Sequence, residues 1–167
     1  GADRAAIGVI VDPEAAAAAH AAGEGATVTL SLGAKSGIPG DVPLEASFIV
    51  EKLSDGRFVA PGPFYGGSRM NLGPSACLRI GGVRIVVGSR KAQMADRAMY
   101  RQVGVQPEEQ AILVNKSSVH FRADFEPIAE TILVCAAPGP MPVDPSALPW
   151  RRLRPGVRTA PLGAPFA

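Results

Sequence analysis

Residues 5–32 specify a strand, a helix and a second strand in close succession, and that order restricts the chain to folds in which a helix packs on a sheet. Residues 5–11 are apolar and rich in β-branched side chains. Asp12, Pro13 and Glu14 then supply an N-cap, a proline suited to the first helical position and a first-turn acid. Residues 15–22 follow as an alanine-rich helix stopped by Gly23, and such a helix, with almost no side-chain bulk, is expected to lie close on a sheet. Its one histidine, His20, reads as a structural or surface residue. Residues 26–32 alternate with period two, as a half-buried strand does.

Beyond this opening the pattern is strand-rich. Residues 33–43 form a glycine- and proline-rich loop with Lys35 and Ser36, but Ala34 before Lys35 breaks the spacing of a phosphate-binding loop. Residues 44–53 read as a longer strand, Ser54, Asp55 and Gly56 as a turn, and residues 57–60 as the returning strand of a hairpin. Residues 61–67, with the adjacent aromatics Phe64 and Tyr65, have little regular structure; they suit the rim of a binding surface or a plain surface crossing. A second hairpin joins residues 76–80 to 83–87 through Gly81 and Gly82, which accept positive φ. Residues 96–103 predict a short helix ended by Gly104, and Pro107, Glu108 and Glu109 a turn or helical start. Residues 111–114 read as a buried strand, residues 131–136 as a strand closing the sheet, and the chain after Pro138 as proline-rich and aperiodic. The expected fold is α/β: a mixed, mostly antiparallel sheet, about three helices and an extended Pro/Arg-rich C-terminal tail. The expected division is a domain over residues 1–150 and a tail over 151–167.

Composition narrows the function classes. A chain of 167 residues can bury a proper core as one domain. Seventeen basic against fifteen acidic residues leave a net charge of +2, too balanced to indicate a nucleic-acid-binding protein. Arg151, Arg152, Arg154 and Arg158 are the local exception, and the prolines among them suit a tail lying on a partner surface or free in solvent. Cys77 and Cys135 form no metal-binding or disulfide pattern and read as small buried hydrophobes. No apolar run approaches the roughly 20 residues that cross a bilayer, and residues 1–11 lack a secretory pattern. A reduced, cytoplasmic setting without membrane contact is expected, although a start at Gly1 instead of methionine leaves room for sequence upstream.

The densest chemistry lies at residues 115–122, where Lys116, Ser117, Ser118, His120 and Arg122 crowd the junction between a strand and a helix. Backbone N–H groups at a helix start lack partners and favour an anion or a polarised carbonyl, and Lys116 strengthens that preference. A structural reading accounts for the same residues: Ser117 as an N-cap accepting from the backbone N–H of His120, and Arg122 paired with Glu126 at i,i+4. Spacing leaves both readings open. A hydrolase built on Ser117 and His120 is disfavoured because no orienting acid is identifiable.

Residues 116–129 carry the pattern K-S-S-x-H-F-R-A-x-F-x-P-I-A, which resembles the signature of the C-terminal domain of microcystinase C (MlrC)-like metallopeptidases. Further similarities run in order along the chain: Asp12-Pro13, Gly25 to Leu30, Ser54 to Phe58, Gly62-Pro63, Gly82-Val83 with Val86-Val87, Ser89-Arg90 with Gln93, and Leu148 to Arg152. The resemblance implies a part of a zinc hydrolase acting on a peptide or amide substrate; the best-known activity of that family opens peptide bonds of linearised microcystin. It also implies that histidine and acidic ligands of a larger N-terminal domain bind the zinc. That domain is then the partner of this chain, and this chain holds no metal site of its own, since its scattered histidines and acids lack ligand spacing. Within that frame His120 is expected to donate to a carbonyl oxygen or oxyanion as the catalytic residue. Lys116, Ser117, Ser118 and Arg122 are the expected substrate contacts. Without the metal domain the chain is expected to be inactive, and homo-oligomer formation stays open. The competing class is a non-catalytic binding or assembly module, in which the motif caps a helix and the arginine-rich tail docks a partner.

Overall fold

Asp12 begins the first helix as its position predicts: in the computed structural model its Oδ1 accepts from the backbone N–H of Ala15 at 3.1 Å. The structure describes residues 1–35, 37–38, 40–137 and 144–165. Strand β1 (Ala5–Val11) leads into helix α1 (Pro13–Ala22), which ends at Gly23 with φ of 87°. Strands β2 (Thr27–Leu32) and β3 (Leu44–Ser54) follow, then β4 (Arg57–Ala60), β5 (Ser68–Asn71), β6 (Ser75–Ile80) and β7 (Val83–Gly88). Helix α2 (Ala98–Arg101), strand β8 (Ile112–Asn115) and helix α3 (Arg122–Phe125) complete the regular elements, with 3-10 turns at Pro107–Glu109, Glu126–Ile128 and Pro145–Ala147.

Six strands form one sheet in the order β2-β3-β6-β7-β1-β8. The pairs β2/β3, β3/β6 and β6/β7 are antiparallel, whereas β7/β1 and β1/β8 are parallel. The fold is therefore α/β with a mixed, mostly antiparallel sheet and three α-helices, as the sequence predicts. On one face, Ala15, Ala16 and Ala19 of α1 are buried among Phe48, Val50, Leu78, Ile85 and Val87. Methyl side chains let the helix approach the strands closely, and α1 touches β2, β3, β6 and β7. Ala6, Cys77 and Val86 face the other side and join Met94, Met99, Tyr100, Val103 and Phe125 in a second core. Each large apolar side chain fully buried in either core contributes roughly 1.5–3 kcal/mol of transfer free energy. Because β7, β1 and β8 run in parallel, their carboxyl ends share one edge, the location where ligands generally bind in open α/β sheets.

Several local expectations are corrected. The strand at residues 57–60 does not return along β3; it pairs with β5 in a separate two-stranded sheet. Gly56 turns the chain away with φ of 75°, packed so closely on Gly73 that a Cβ would lie 1.9 Å from its carbonyl oxygen. Strand β5 has the sequence Ser-Arg-Met-Asn, whose polarity hides it from periodicity. Residues 111–114 are not a buried strand: β8 is an edge strand in which Ile112 and Val114 are 49% and 50% exposed. Residues 131–136 form no strand, and Leu133 and Val134 are 81% and 73% exposed. Apolar composition there meets no partner strand, and Cys135, expected to be buried, is exposed with it. The helix expected at 96–103 contracts to α2. Lys35 binds Asp12 at 2.8 Å and Glu14 at 2.9 Å, so this lysine is a structural ion-pair partner. Ser36 and the proline-rich start at residues 138–143 lie outside the described residues.

The chain divides into two compact units, Gly1–Gly37 with Asp41–Ile132, and Ile38–Gly40 with Leu133–Ala167. The first unit contains both cores. In the second, the Trp150 indole donates to the Pro145 carbonyl at 2.7 Å and Arg158 forms an isolated bridge with Pro165. Among the described residues no helix is long and apolar enough to cross a membrane.

Candidate functional site

Strand β8 delivers the polar motif to the carboxyl edge of the sheet. The Lys116 N–H donates to Gly8 of β1 at 3.3 Å, and the Lys116 carbonyl accepts from Met94 N–H at 3.2 Å. That second bond ties the segment leaving β7 to the motif and sets Gln93 against Ser117 and His120. Gln93 Nε2 donates to Ser117 Oγ at 2.8 Å and lies 2.8 Å from His120 Nδ1. Phe64 stacks on the imidazole with ring centroids 4.1 Å apart and an interplanar angle of 24°. Tyr65 meets Phe64 edge-on at 4.8 Å and donates its hydroxyl to the Gln93 carbonyl at 2.9 Å. Burial pushes the Tyr65 pKa up, which keeps that hydroxyl a donor.

The segment bearing Phe64 is anchored through two buried carboxylates. Gly62 N–H donates to Asp96 Oδ2 at 2.7 Å, and Asp96 Oδ1 accepts from Ala98 N–H at 2.8 Å, fixing the start of α2. Asp124 accepts from the backbone N–H of Arg97 at 2.7 Å and from its guanidinium at 3.1 Å. The hydrogen bond to Asp124 raises the Arg97 pKa, which keeps the guanidinium charged. Only a residue without a side chain fits at Gly62, because a Cβ would lie 2.7 Å from Asp96 Oδ2 and 3.1 Å from the Asp124 carboxyl.

The expected residues divide by placement. Ser117 and His120 belong to the cluster with Gln93, and His120 is exposed. Lys116 and Ser118 are exposed beside them, and among the described residues Lys116 has no acidic partner. Arg122 turns to Glu126 at 3.4 Å and lies over the Phe121 ring at 5.5 Å, as the i,i+4 spacing predicts. The expected cap is displaced by one residue: Ser117 Oγ accepts from Phe121 N–H at 3.2 Å instead of from His120. Helix α3 spans only Arg122–Phe125, with Pro127 lacking the N–H that would extend it, so it offers the motif no long helix dipole. Pattern reasoning gave Gln93 no role in the site and placed Phe64 only in a segment suited to the rim of a binding surface or a plain surface crossing. The adjacent aromatics marked the 61–67 segment, but nothing local connects either residue to His120. Among the described residues no group of three or more His, Cys, Asp or Glu side chains converges.

The sequence model of the family described as MlrC C-terminus matches residues 1–152. This chain belongs to the MlrC C-terminus family. Microcystinase C from Sphingomonas sp is 30% identical to this MlrC C-terminus chain over an alignment of 135 residues that covers 78% of this chain and 25% of the relative. The crystal structure of a "Putative metallopeptidase" from Mesorhizobium sp. BNC1 superposes with a TM-score of 0.78 at 32% identity, covering 90% of this chain and 30% of that one. The chain thus spans about a quarter of the length of the curated MlrC relative it matches.

Proposed function

We propose that this chain is the C-terminal, substrate-contacting domain of an MlrC-like zinc-dependent peptidase or amidohydrolase whose metal ligands lie in a preceding domain. One observation carries the reading: an exposed imidazole, clamped by Gln93 and Phe64 at the carboxyl edge of the parallel strands, four residues after an exposed lysine, Lys116, that has no acidic partner among the described residues. A surface histidine with no task does not need an aromatic stack and an amide donor to hold it. In this reading His120 donates to a substrate carbonyl oxygen as negative charge develops, a stabilisation worth about 2.7–4 kcal/mol when one preorganised donor is lost. Lys116 and Ser117 contact the substrate directly, Ser118 lines the approach, and Arg122 holds a substrate carboxylate after exchanging it for Glu126. The zinc is supplied and held elsewhere in the longer enzyme, and none of these contacts passes through it.

In the longer polypeptide, His120→Ala is expected to lower turnover of a peptide or amide substrate about 100-fold or more without loss of bound zinc. Unchanged turnover would remove His120 from the mechanism. A second reading, a binding or assembly module without catalysis, draws on the half-exposed apolar edge strand β8. Mixing this chain with the metal-binding domain separates the two: restored hydrolysis supports the first, and association without hydrolysis supports the second.

A further inference from the structure

The geometry points to Gln93 as a positioning residue that turns Ser117 Oγ and His120 Nε2 into paired donors for an acceptor oxygen. Which oxygen they meet rests on the proposed substrate-contacting role; their own hydrogen-bonding state does not. A carboxamide nitrogen carries two hydrogens and accepts nothing. Gln93 Nε2 lies 2.8 Å from Ser117 Oγ and 2.8 Å from His120 Nδ1, so one hydrogen serves each partner. His120 Nδ1 is thereby an acceptor, and the proton of the neutral ring belongs on Nε2. Ser117 Oγ also accepts from Phe121 N–H at 3.2 Å, which occupies both of its acceptor sites and leaves its own hydrogen to be donated. Lys116, adjacent in sequence and exposed, carries an ammonium that has hydrogens and no acceptor. Ser117 Oγ and His120 Nε2 thus each present a hydrogen.

Gln93 is itself fixed at three points. Its carbonyl accepts from Tyr65 Oη at 2.9 Å, the next residue donates its N–H to the Lys116 carbonyl at 3.2 Å, and its amide holds the two motif side chains. Phe64 covers one face of the imidazole and sets its plane. The ligand class that matches is a carbonyl, carboxylate or tetrahedral oxyanion of a peptide or amide.

Ring-nitrogen NMR of the full 167-residue chain tests this directly, with the two histidines assigned from the spectrum of His120→Ala. At a pH of about 8.5, well above the ordinary imidazole range, the expected state of His120 is Nε2–H with an unprotonated, hydrogen-bonded Nδ1. Gln93→Glu replaces a double donor by a double acceptor and is expected to move the proton to Nδ1, exchanging the two 15N signatures. Gln93→Leu removes the donor and is expected to shift Nδ1 toward a free imine while leaving the backbone unchanged. An Nδ1–H ring in the wild-type chain overturns the proposal, as do ring nitrogens that are the same in wild type, Gln93→Glu and Gln93→Leu. These spectra are independent of catalysis. Should they come out as expected while His120→Ala leaves turnover of the longer enzyme unchanged, the positioning role stands and the substrate-contacting role falls.

Discussion

Phe64 lies against His120 with ring centroids 4.1 Å apart, although 55 residues separate them in the chain. Stacked aromatic pairs contribute about 0.5–1.5 kcal/mol beyond their buried area. Phe64→Ala is therefore expected to cost little global stability but to free the imidazole. The His120 ring protons, shielded by the phenyl face in the wild type, should move downfield in the variant, whereas Phe64→Tyr should keep them in place. Identical shifts in wild type and Phe64→Ala would mean the stack is absent in solution.

Gly62 is a sharper test of how the aromatic segment is held. Gly62→Ala places a methyl group 2.7 Å from Asp96 Oδ2, against a carboxylate that is itself buried and hydrogen-bonded on both oxygens. Overpacking of this kind costs typically about 1–3 kcal/mol. The urea midpoint should fall accordingly, and the Tyr65 to Gln93 link should loosen with it. A variant as stable as the wild type would contradict the close approach.

Asp12 links stability to acid. Burial alone would raise its pKa, but hydrogen bonds from Lys35, Ala15 N–H and Gly33 N–H outweigh this and hold the carboxyl below its ordinary value. A folded pKa depressed in this way contributes stability that is complete above the unfolded value, about 3.9, and is lost as pH falls through the folded one. Asp12→Asn retains an oxygen for the cap but not the charge. The gap in unfolding free energy between wild type and Asp12→Asn should be widest near neutrality and should narrow on acidification below pH about 4. Asp12→Ala also removes the cap, at about 0.5–2 kcal/mol. A gap independent of pH would exclude the ion pair with Lys35.

The two cysteines should differ in reactivity. Burial, with the nearby Glu51 carboxylate, pushes the Cys77 thiol up to about 12, whereas Cys135 is exposed. Since the thiolate is the reactive form, a thiol reagent at pH about 8 should label one cysteine quickly and the second only on unfolding. Cys135→Ser should abolish the fast phase. Two fast thiols in the native protein would contradict the burial of Cys77.

What the sequence disclosed was local or contiguous. The strand, cap and helix over residues 5–22, the Gly81-Gly82 hairpin and the 116–129 motif that led to the family were readable because each is written within a few neighbouring residues. Where a local rule had two outcomes, the sequence left the choice open: Ser117 does accept a backbone N–H, but from Phe121, one residue beyond the expected donor.

Tertiary structure decided the rest. It made residues 57–60 the partner of a polar strand instead of β3, turned the apolar run at 111–114 into part of a sheet edge, and left residues 131–136 without a strand. It also assembled the candidate site by bringing Phe64 and Gln93 to His120 across long stretches of chain. Side-chain patterning fixes which residues are buried and where the backbone turns, but not which distant segments become neighbours; that is set by packing the two faces of the sheet, where the loss of chain entropy is offset only when all the strands pair together.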